Sequence, residues 1–501
     1  MKHCVSIVLA LAGACAATAA PLDRATPESQ GVPSAAIVRW IDACEREIGP
    51  HHSLHGFVIV RHGKVIAEGT WAPYDTLNRP HMLYSHSKSF TSTAIGFLVD
   101  DGTLDLDARV LSFFADKAPA NPSDNLRALR VRDLLTMNVG ASFTDAERKD
   151  INGDWVKAFL ANDIEKEPGT VFKYDSCATH MLAAIAERVT GMKLMDFLKA
   201  RLFDPIGMTS PWSTVSPTGI ACGGWGMNMT TREIARFGQL YLQKGKWGGE
   251  YILSPSWVAL ATTRHTWSGW RNVGVKALGE GSDWEQGYGF QFWRCHHGAY
   301  RADGAAGQIT VVMPELDMVV SAHAGLSNIQ TELSLVWDHL LPGVKDAPLA
   351  ARGEVLACLR RRIDALAIPP KAGGSAGLDG FLGKTYDFKS NHRGIESARF
   401  ERDGGNLVCV LKVPAGEQKI PVGVGEWKKG EMRFDVQDYE FLGAYIGVHR
   451  TAASAGVGAD GTLSARIYLI GDTGHIDLSV SPDKGASGEF WAMNGCKLEP
   501  K

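Results

Sequence analysis

The stretch "MLYSHSKSFTSTAIGFLVDDG", residues 82 to 102, places Ser85 three positions before Lys88 at the head of an apolar run with helical spacing. A serine hydroxyl is a poor nucleophile until a neighbouring base takes its proton, so that base must lie within hydrogen-bond reach. On a helix, positions i and i+3 share one face, which lets Ser85 and Lys88 touch one turn apart. The start of a helix also turns unpaired N–H groups and the positive end of its dipole toward a developing oxyanion. The plainer reading is a serine that only caps the helix.

Two further stretches bear on that choice. In "EPGTVFKYDSCATHMLAAIAERVTG", Tyr174 and Ser176 lie on the loop opening an amphipathic helix that ends at Gly191, where a phenol can reach back to Ser85. Its alternative role is packing with a wet hydroxyl. "YRADGAAGQITVVMPELDMVVSAHAG" reads as a glycine-punctuated strand opening a hairpin, and glycine there lets backbone approach a substrate. His51-His52 and Cys295-His296-His297 lack metal-ligand spacing and read as loop residues, so no metal site is expected. His86 points away from Ser85 and reads as pocket wall or packing, and Asp100-Asp101 as a polar helix end. Trp225, Tyr288 and Trp293 suit either an apolar cleft or the core. No glycine-rich phosphate loop follows a strand, and no cofactor is expected.

The elements that must position these groups fall into two textures. From about residue 30 to 368, helical and strand-like patterns mix: "HGFVIVRHGKVIAEGTW" reads as two strands around His62-Gly63-Lys64. "IPPKAGGSAG", 368–377, reads as a linker, the kind of segment across which few contacts run. Beyond it come short alternating runs, "NLVCVLKV", "KGEMRFDV", "GTLSARIYLI" and "HIDLSVSP", which predict an antiparallel β-barrel or sandwich over 378–501. The expected fold is α/β, with an antiparallel sheet domain over 20–367, a helical cap between roughly 105 and 250, and a separable C-terminal β-domain.

Composition bounds the function classes. The 501 residues are 45% hydrophobic and 21% charged, which describes a globular chain long enough for two or three domains. A formal charge of −3 without a basic block excludes a nucleic-acid partner. "MKHCVSIVLALAGACAATAA" has a basic start, a short apolar core and small residues, so 1–19 reads as a signal peptide cleaved after Ala17-Thr18-Ala19. A lipid anchor on Cys15 fits less well, because Ala12 stands where a bulky aliphatic residue is wanted. The expected location is the periplasm or the cell exterior, without stable membrane insertion. Of nine cysteines, seven lie beyond that segment, an odd number that leaves at least one thiol over.

In combination and order, these motifs resemble the serine β-lactamase and penicillin-recognising superfamily, in its class C-like branch with carboxylesterases and aminohexanoate-dimer hydrolases. Similar stretches include "VIVRHGKVIAEG", "LRVRDLLTMNVG", "LFDPIGMTSP", "GGWGMNMTTREIARFGQLYLQKGKWGGEYIL" and "GYGFQFWR". The resemblance implies a class C-like antiparallel sheet flanked by helices, with an all-helical subdomain. It implies Ser85 as the acylated nucleophile, Lys88 as its motif lysine and Tyr174 as the tyrosine of the second motif. It puts the third motif on Ala302-Asp303-Gly304, the oxyanion hole on the backbone N–H groups of Ser85 and Ala305, and substrate contacts on Ser176, Asp303 and Gly304.

Two departures carry meaning. Ser176 replaces a common Asn, and Ala302 replaces the third-motif cation that helps hold a β-lactam carboxylate. The expected substrate is therefore a small ester or amide, cleaved through an acyl-enzyme in which Lys88 and Tyr174 together deprotonate Ser85, with Lys88 keeping the phenol partly ionised. A β-lactamase or D-amino-acid peptidase is the alternative, and a non-catalytic binder the rival of another class.

Overall fold

The computed structural model describes residues 21–49, 52–141, 153–268, 281–435, 447–482, 485–492 and 495–501. The segment read as a signal peptide, with Cys15, lies outside them, as does His51.

Six strands form the first sheet: β1 (His52–Arg61), β2 (Lys64–Thr70), β3 (Trp293–Arg294), β4 (Tyr300–Gly304), β5 (Gln308–Met313) and β6 (Met318–Leu326). Their order is β2-β1-β6-β5-β4-β3, and every neighbouring pair is antiparallel. The β1/β2 turn forms where expected, with His62 and Gly63 both left-handed at φ 50° and 71°, the geometry that keeps a two-residue hairpin in twist with its strands.

Both faces of this sheet are covered, which explains why β1 reads as a nearly continuous apolar run. Side chains alternate across a strand. Val58 and Val60 join the core built on the nucleophile helix Ser87–Asp100, while Phe57 and Ile59 join the core beneath the helix Ser34–Arg46.

The cap is less uniform than its sequence pattern predicts. It holds helices such as Asp124–Ala128, Val131–Leu135, Trp155–Leu160 and Ser176–Thr190. It also includes the short strands Trp212–Ser213 and Met227–Met229, which pair with His81–Met82 into a small sheet just ahead of Ser85. The helix Thr231–Leu242 packs on the main sheet. Its capping box, with Thr230 and Glu233 each receiving the other's backbone N–H, fixes where it begins. Ser176–Thr190 ends at left-handed Gly191, as its sequence predicts.

The C-terminal domain is a curled sheet of ten strands. Its first and last segments meet, with Lys389 N–H bonded to the Glu499 carbonyl at 2.8 Å and Lys501 N–H to Asp387 at 3.1 Å. The runs read as strands appear at Asn406–Val413, Lys428–Arg433, Leu463–Ile470 and His475–Ser481. All neighbours are antiparallel except Gly416–Val424 against Val448–Val457.

The expectation of few contacts across 368–377 is corrected. Ile368 N–H bonds to the Ala72 carbonyl at 2.7 Å, and Trp427 Nε1 donates to the Ile368 carbonyl at 2.7 Å. Tyr468 packs its ring 5.4 Å from Tyr74 and joins the core of the first domain. Proline and glycine raise the linker's loop propensity, but loop propensity says nothing of what later strands bring against it.

Candidate active site

Ser85 sits in a short 3₁₀ turn, Tyr84–His86, that runs directly into the helix Ser87–Asp100. The residue before it, Tyr84, is buried and left-handed at φ 47°. That conformation is uncommon for a bulky side chain and persists only where its surroundings hold it. Three contacts from the β-domain do so here. The Tyr84 hydroxyl donates to Asp472 Oδ1 at 3.0 Å and lies 3.1 Å from Thr473 Oγ1, and Met82 N–H bonds to the Gly471 carbonyl at 2.9 Å.

Lys88, one turn on, is buried and donates three hydrogen bonds, to Ser85 Oγ (3.1 Å), Ser176 Oγ (3.0 Å) and the Gly224 carbonyl (2.7 Å). As an ammonium Lys88 fills its donor capacity with this set; as the neutral amine it donates two of these bonds and accepts the third from the Ser85 hydroxyl. Ser176 reaches Lys88 as the first residue of its helix, whose start is capped by Asp175 accepting from Cys177 N–H at 2.8 Å.

Tyr174 hydrogen-bonds to Ser85, and its ring lies 4.8 Å from Lys88 Nζ. It stacks on Trp293 at 5.4 Å and meets Tyr288 edge-on at 6.2 Å, the packing role considered for both aromatics. Burial raises the Tyr174 pKa and nearby Asp303 adds to the rise, outweighing the Ser85 hydrogen bond and Arg301. Burial therefore opposes the expected partial ionisation of the phenol: Lys88 lies over the ring, while desolvation penalises a phenolate.

The third-motif strand departs further from expectation. Asp303 is buried in an ion pair with Arg301, Nε to Oδ2 at 2.5 Å. Arg301 also donates to the carbonyls of Asp283 (3.1 Å) and Arg294 (3.2 Å), and to Cys295 Sγ (3.1 Å). Asp303 therefore reaches Tyr174 as a field rather than a substrate as a ligand. Cys295 is buried against this pair rather than solvated in a loop. The period-two spacing of Arg301 and Asp303 on a strand was the available signal, since such residues share a face.

Gly304 has a tighter reason to be glycine than substrate approach. A Cβ there would lie 1.9 Å from the Leu83 carbonyl oxygen and 3.0 Å from His86 N, both in the segment carrying Ser85. This contact brings the Ala305 backbone, in the turn that follows, against the serine's turn. Gln308 braces that turn, donating from Nε2 to the Ala305 carbonyl (3.1 Å) and the Ala324 carbonyl (2.7 Å). His86 is buried with Nδ1 3.2 Å from the Gln308 carbonyl, and burial lowers its pKa to about 3. It is a neutral packing residue. Asp100 accepts from Ser254 N–H and Oγ at 3.0 and 2.6 Å, and Asp101 holds Arg201, so both join helices together.

The sequence reading missed Gly224, which acts through a carbonyl and so leaves no side-chain signal. It also missed Asp472, almost 400 residues from the serine.

The structure therefore joins Ser85, Lys88, Tyr174 and Ser176 in one hydrogen-bonded group at a helix start, beside a strand that meets it through Gly304. Among known proteins, the Beta-lactamase family profile matches residues 24–333, and the chain belongs to that family. Proteins similar to it include hydrolases, esterases and penicillin-binding proteins. It is 27% identical to a 6-aminohexanoate-dimer hydrolase of Paenarthrobacter ureafaciens over 253 residues, 47% of this chain and 64% of that protein. It is 31% identical to penicillin-binding protein 4 of Amycolatopsis lactamdurans over 184 residues, 35% of this chain and 44% of that one. The matches thus span less than two thirds of either relative. A solved family VIII carboxylesterase is similar at 18% identity and a TM-score of 0.47, covering 67% of this chain and 99% of that one.

Proposed function

We propose that the chain is an exported serine hydrolase that cleaves esters or small linear amides without a carboxylate beside the scissile bond, through an acyl-enzyme. The observation that carries the reading is the Lys88 hydrogen bond to Ser85 within the Ser85-Lys88-Tyr174-Ser176 group. Lys88, in its amine form, takes the Ser85 proton as Oγ attacks the carbonyl carbon. The N–H groups of Ser85 and Ala305 receive the oxyanion. Tyr174, whose pKa burial raises, gives its proton to the departing alkoxide or amine and recovers the one held by Lys88, so that both return to their starting forms. Water then attacks the acyl carbon and returns Ser85 with its proton, releasing the acid.

The preference against a carboxylate beside the scissile bond rests on the third-motif strand. Ala302 presents a buried methyl group where relatives place a cation, and the neighbouring Arg301 is committed to Asp303. A missing hydrogen bond to a charged group is worth about 1.5 to 3 kcal/mol, or about ten- to a hundredfold in selectivity.

Two measurements test the reading. Mass spectrometry after a fluorophosphonate should find the label on Ser85, and Ser85→Ala should abolish hydrolysis of nitrophenyl butyrate without unfolding the protein. A chromogenic cephalosporin should be cleaved about ten- to a hundredfold less efficiently than that ester. Equal efficiency would make β-lactamase the better description.

A further inference from the structure

We propose that the cavity between the two domains holds the far part of the substrate's acyl chain, and that it selects chains apolar along their length and anionic at the end. This rests on the serine hydrolase reading and assigns the β-domain a part in specificity.

The cavity measures about 720 Å³, within the range of small-molecule sites. The hydrolase domain supplies Met82, Trp212, Val215 and Trp225, and the β-domain supplies Val448, Arg450 and Ile470. Trp212, Val215 and Val448 are 49%, 52% and 61% exposed, yet all border this one space. Large apolar side chains left in water and gathered around one concavity mark a binding surface.

The charged groups of the lining are Arg79, Arg450 and Asp472, and Glu431 stands opposite Arg450 on the neighbouring strand. Arg450 is paired with Ile470 across the ladder and shares a face with Val448, so its guanidinium stands on the same wall. Among the described residues Arg450 forms no ion pair. Arg79, on the facing side, has Asp75 at 3.5 Å. Asp472 also borders the cavity, but its Oδ1 already accepts from the Tyr84 hydroxyl and from the N–H groups of Thr473 (2.6 Å) and Gly474 (3.2 Å). Ser213, Thr214, Asn228 and His449 add neutral hydrogen-bonding groups to the lining, and Arg450 adds a cation.

Two lining residues sit on the segments that carry the chemistry. Met82 precedes Ser85 by three residues, and Trp225 follows Gly224, whose carbonyl holds Lys88. Tyr174, which serves the leaving group, packs elsewhere, against Trp293 and Tyr288. A leaving group departing past Tyr174 directs the acyl chain toward the cavity.

The test compares nitrophenyl hexanoate with the mono-nitrophenyl ester of adipic acid, which share a leaving group and chain length and differ in a terminal carboxylate. The wild type should prefer the adipate ester in kcat/KM. Arg450→Ala should lower the adipate-to-hexanoate ratio by about ten- to a hundredfold, chiefly through KM, the effect of one charge-assisted hydrogen bond. Arg450→Lys should restore part of it. No preference in the wild type, or an unmoved ratio in Arg450→Ala, overturns the cavity assignment and leaves Ser85 as nucleophile untouched. If neither ester is cleaved and a fluorophosphonate leaves Ser85 unlabelled, the hydrolase reading is what fails. The cavity is then tested alone by titrating adipate against tryptophan fluorescence of the Ser85→Ala protein. Saturable quenching that Arg450→Ala removes supports the site, and an unchanged signal overturns it.

Discussion

Lys88 Nζ has Ser85, Ser176 and Gly224 within 3.1 Å, and Tyr174 reaches the same hydroxyl from the other side. Groups that share one proton lose function together, because removing either leaves the other without a task. Lys88→Ala and Tyr174→Phe should each reduce kcat on nitrophenyl butyrate by about 10² to 10⁴, the span of general acid–base catalysis. The double variant should be little worse than either single one. Losses that multiply would show two independent contributions and overturn the shared-proton account. At this scale much was legible: the i, i+3 spacing of Ser85 and Lys88 is a local property that a helix turns directly into contact. The roles of Asp303 and Tyr174's charge state were not, since each depends on burial and on Arg301 and Trp293, which packing brings together.

Three elements meet beneath the serine's turn through a row of buried histidines. His55 on β1 lies with Nδ1 2.9 Å from His81 Nε2 on the short strand His81–Met82, and His81 stacks on His323 of β6 at 4.6 Å between ring centres. His323 Nδ1 in turn faces Gln308 Oε1 at 2.9 Å, joining the row to the brace of the Ala305 turn. Burial depresses the pKa of all three, His55 and His323 well below the ordinary imidazole value. Unfolded histidines take up protons as pH falls through about 6.5, and the folded ones do not. The stability present above that pH is therefore lost as pH falls below it. Urea midpoints should drop between pH 7.5 and 5.5, above the range where carboxylates dominate, and equal midpoints would contradict the account. His55 and His323 were visible only as residues within strand patterns. Their meeting is set by β1 and β6 pairing as neighbours although 266 positions separate their starts in the chain.

At the scale of the whole molecule, the β-domain reaches the catalytic turn. Gly471 and Asp472 hold Met82 and left-handed Tyr84, Tyr468 fills part of the first domain's core, and Lys371 pairs with Asp477 at 3.2 Å. A chain ending at Gly373 would expose Tyr74 and leave the Tyr84 hydroxyl without its Asp472 partner. Its soluble yield should fall well below that of the full chain, and any soluble fraction should label with fluorophosphonate at least tenfold more slowly. Equal yield and labelling would show a dispensable domain, as the linker's composition alone predicts.

The sequence by itself determined what depends on neighbours along the chain: the contact of Ser85 with Lys88, the β1/β2 hairpin, the helix stop at Gly191 and the short strands of the second domain. Each follows from spacing, side-chain shape or turn preference within about twenty residues. Tertiary structure alone decided which distant groups share a dielectric and a hydrogen bond: that Asp303 pairs with Arg301, that burial raises the Tyr174 pKa, and that a turn near residue 472 supports residue 84. Burial and pairing between strands far apart in the chain set those outcomes, because removing water raises the cost of an unpaired charge or polar group, and only the packed fold determines which partner meets it.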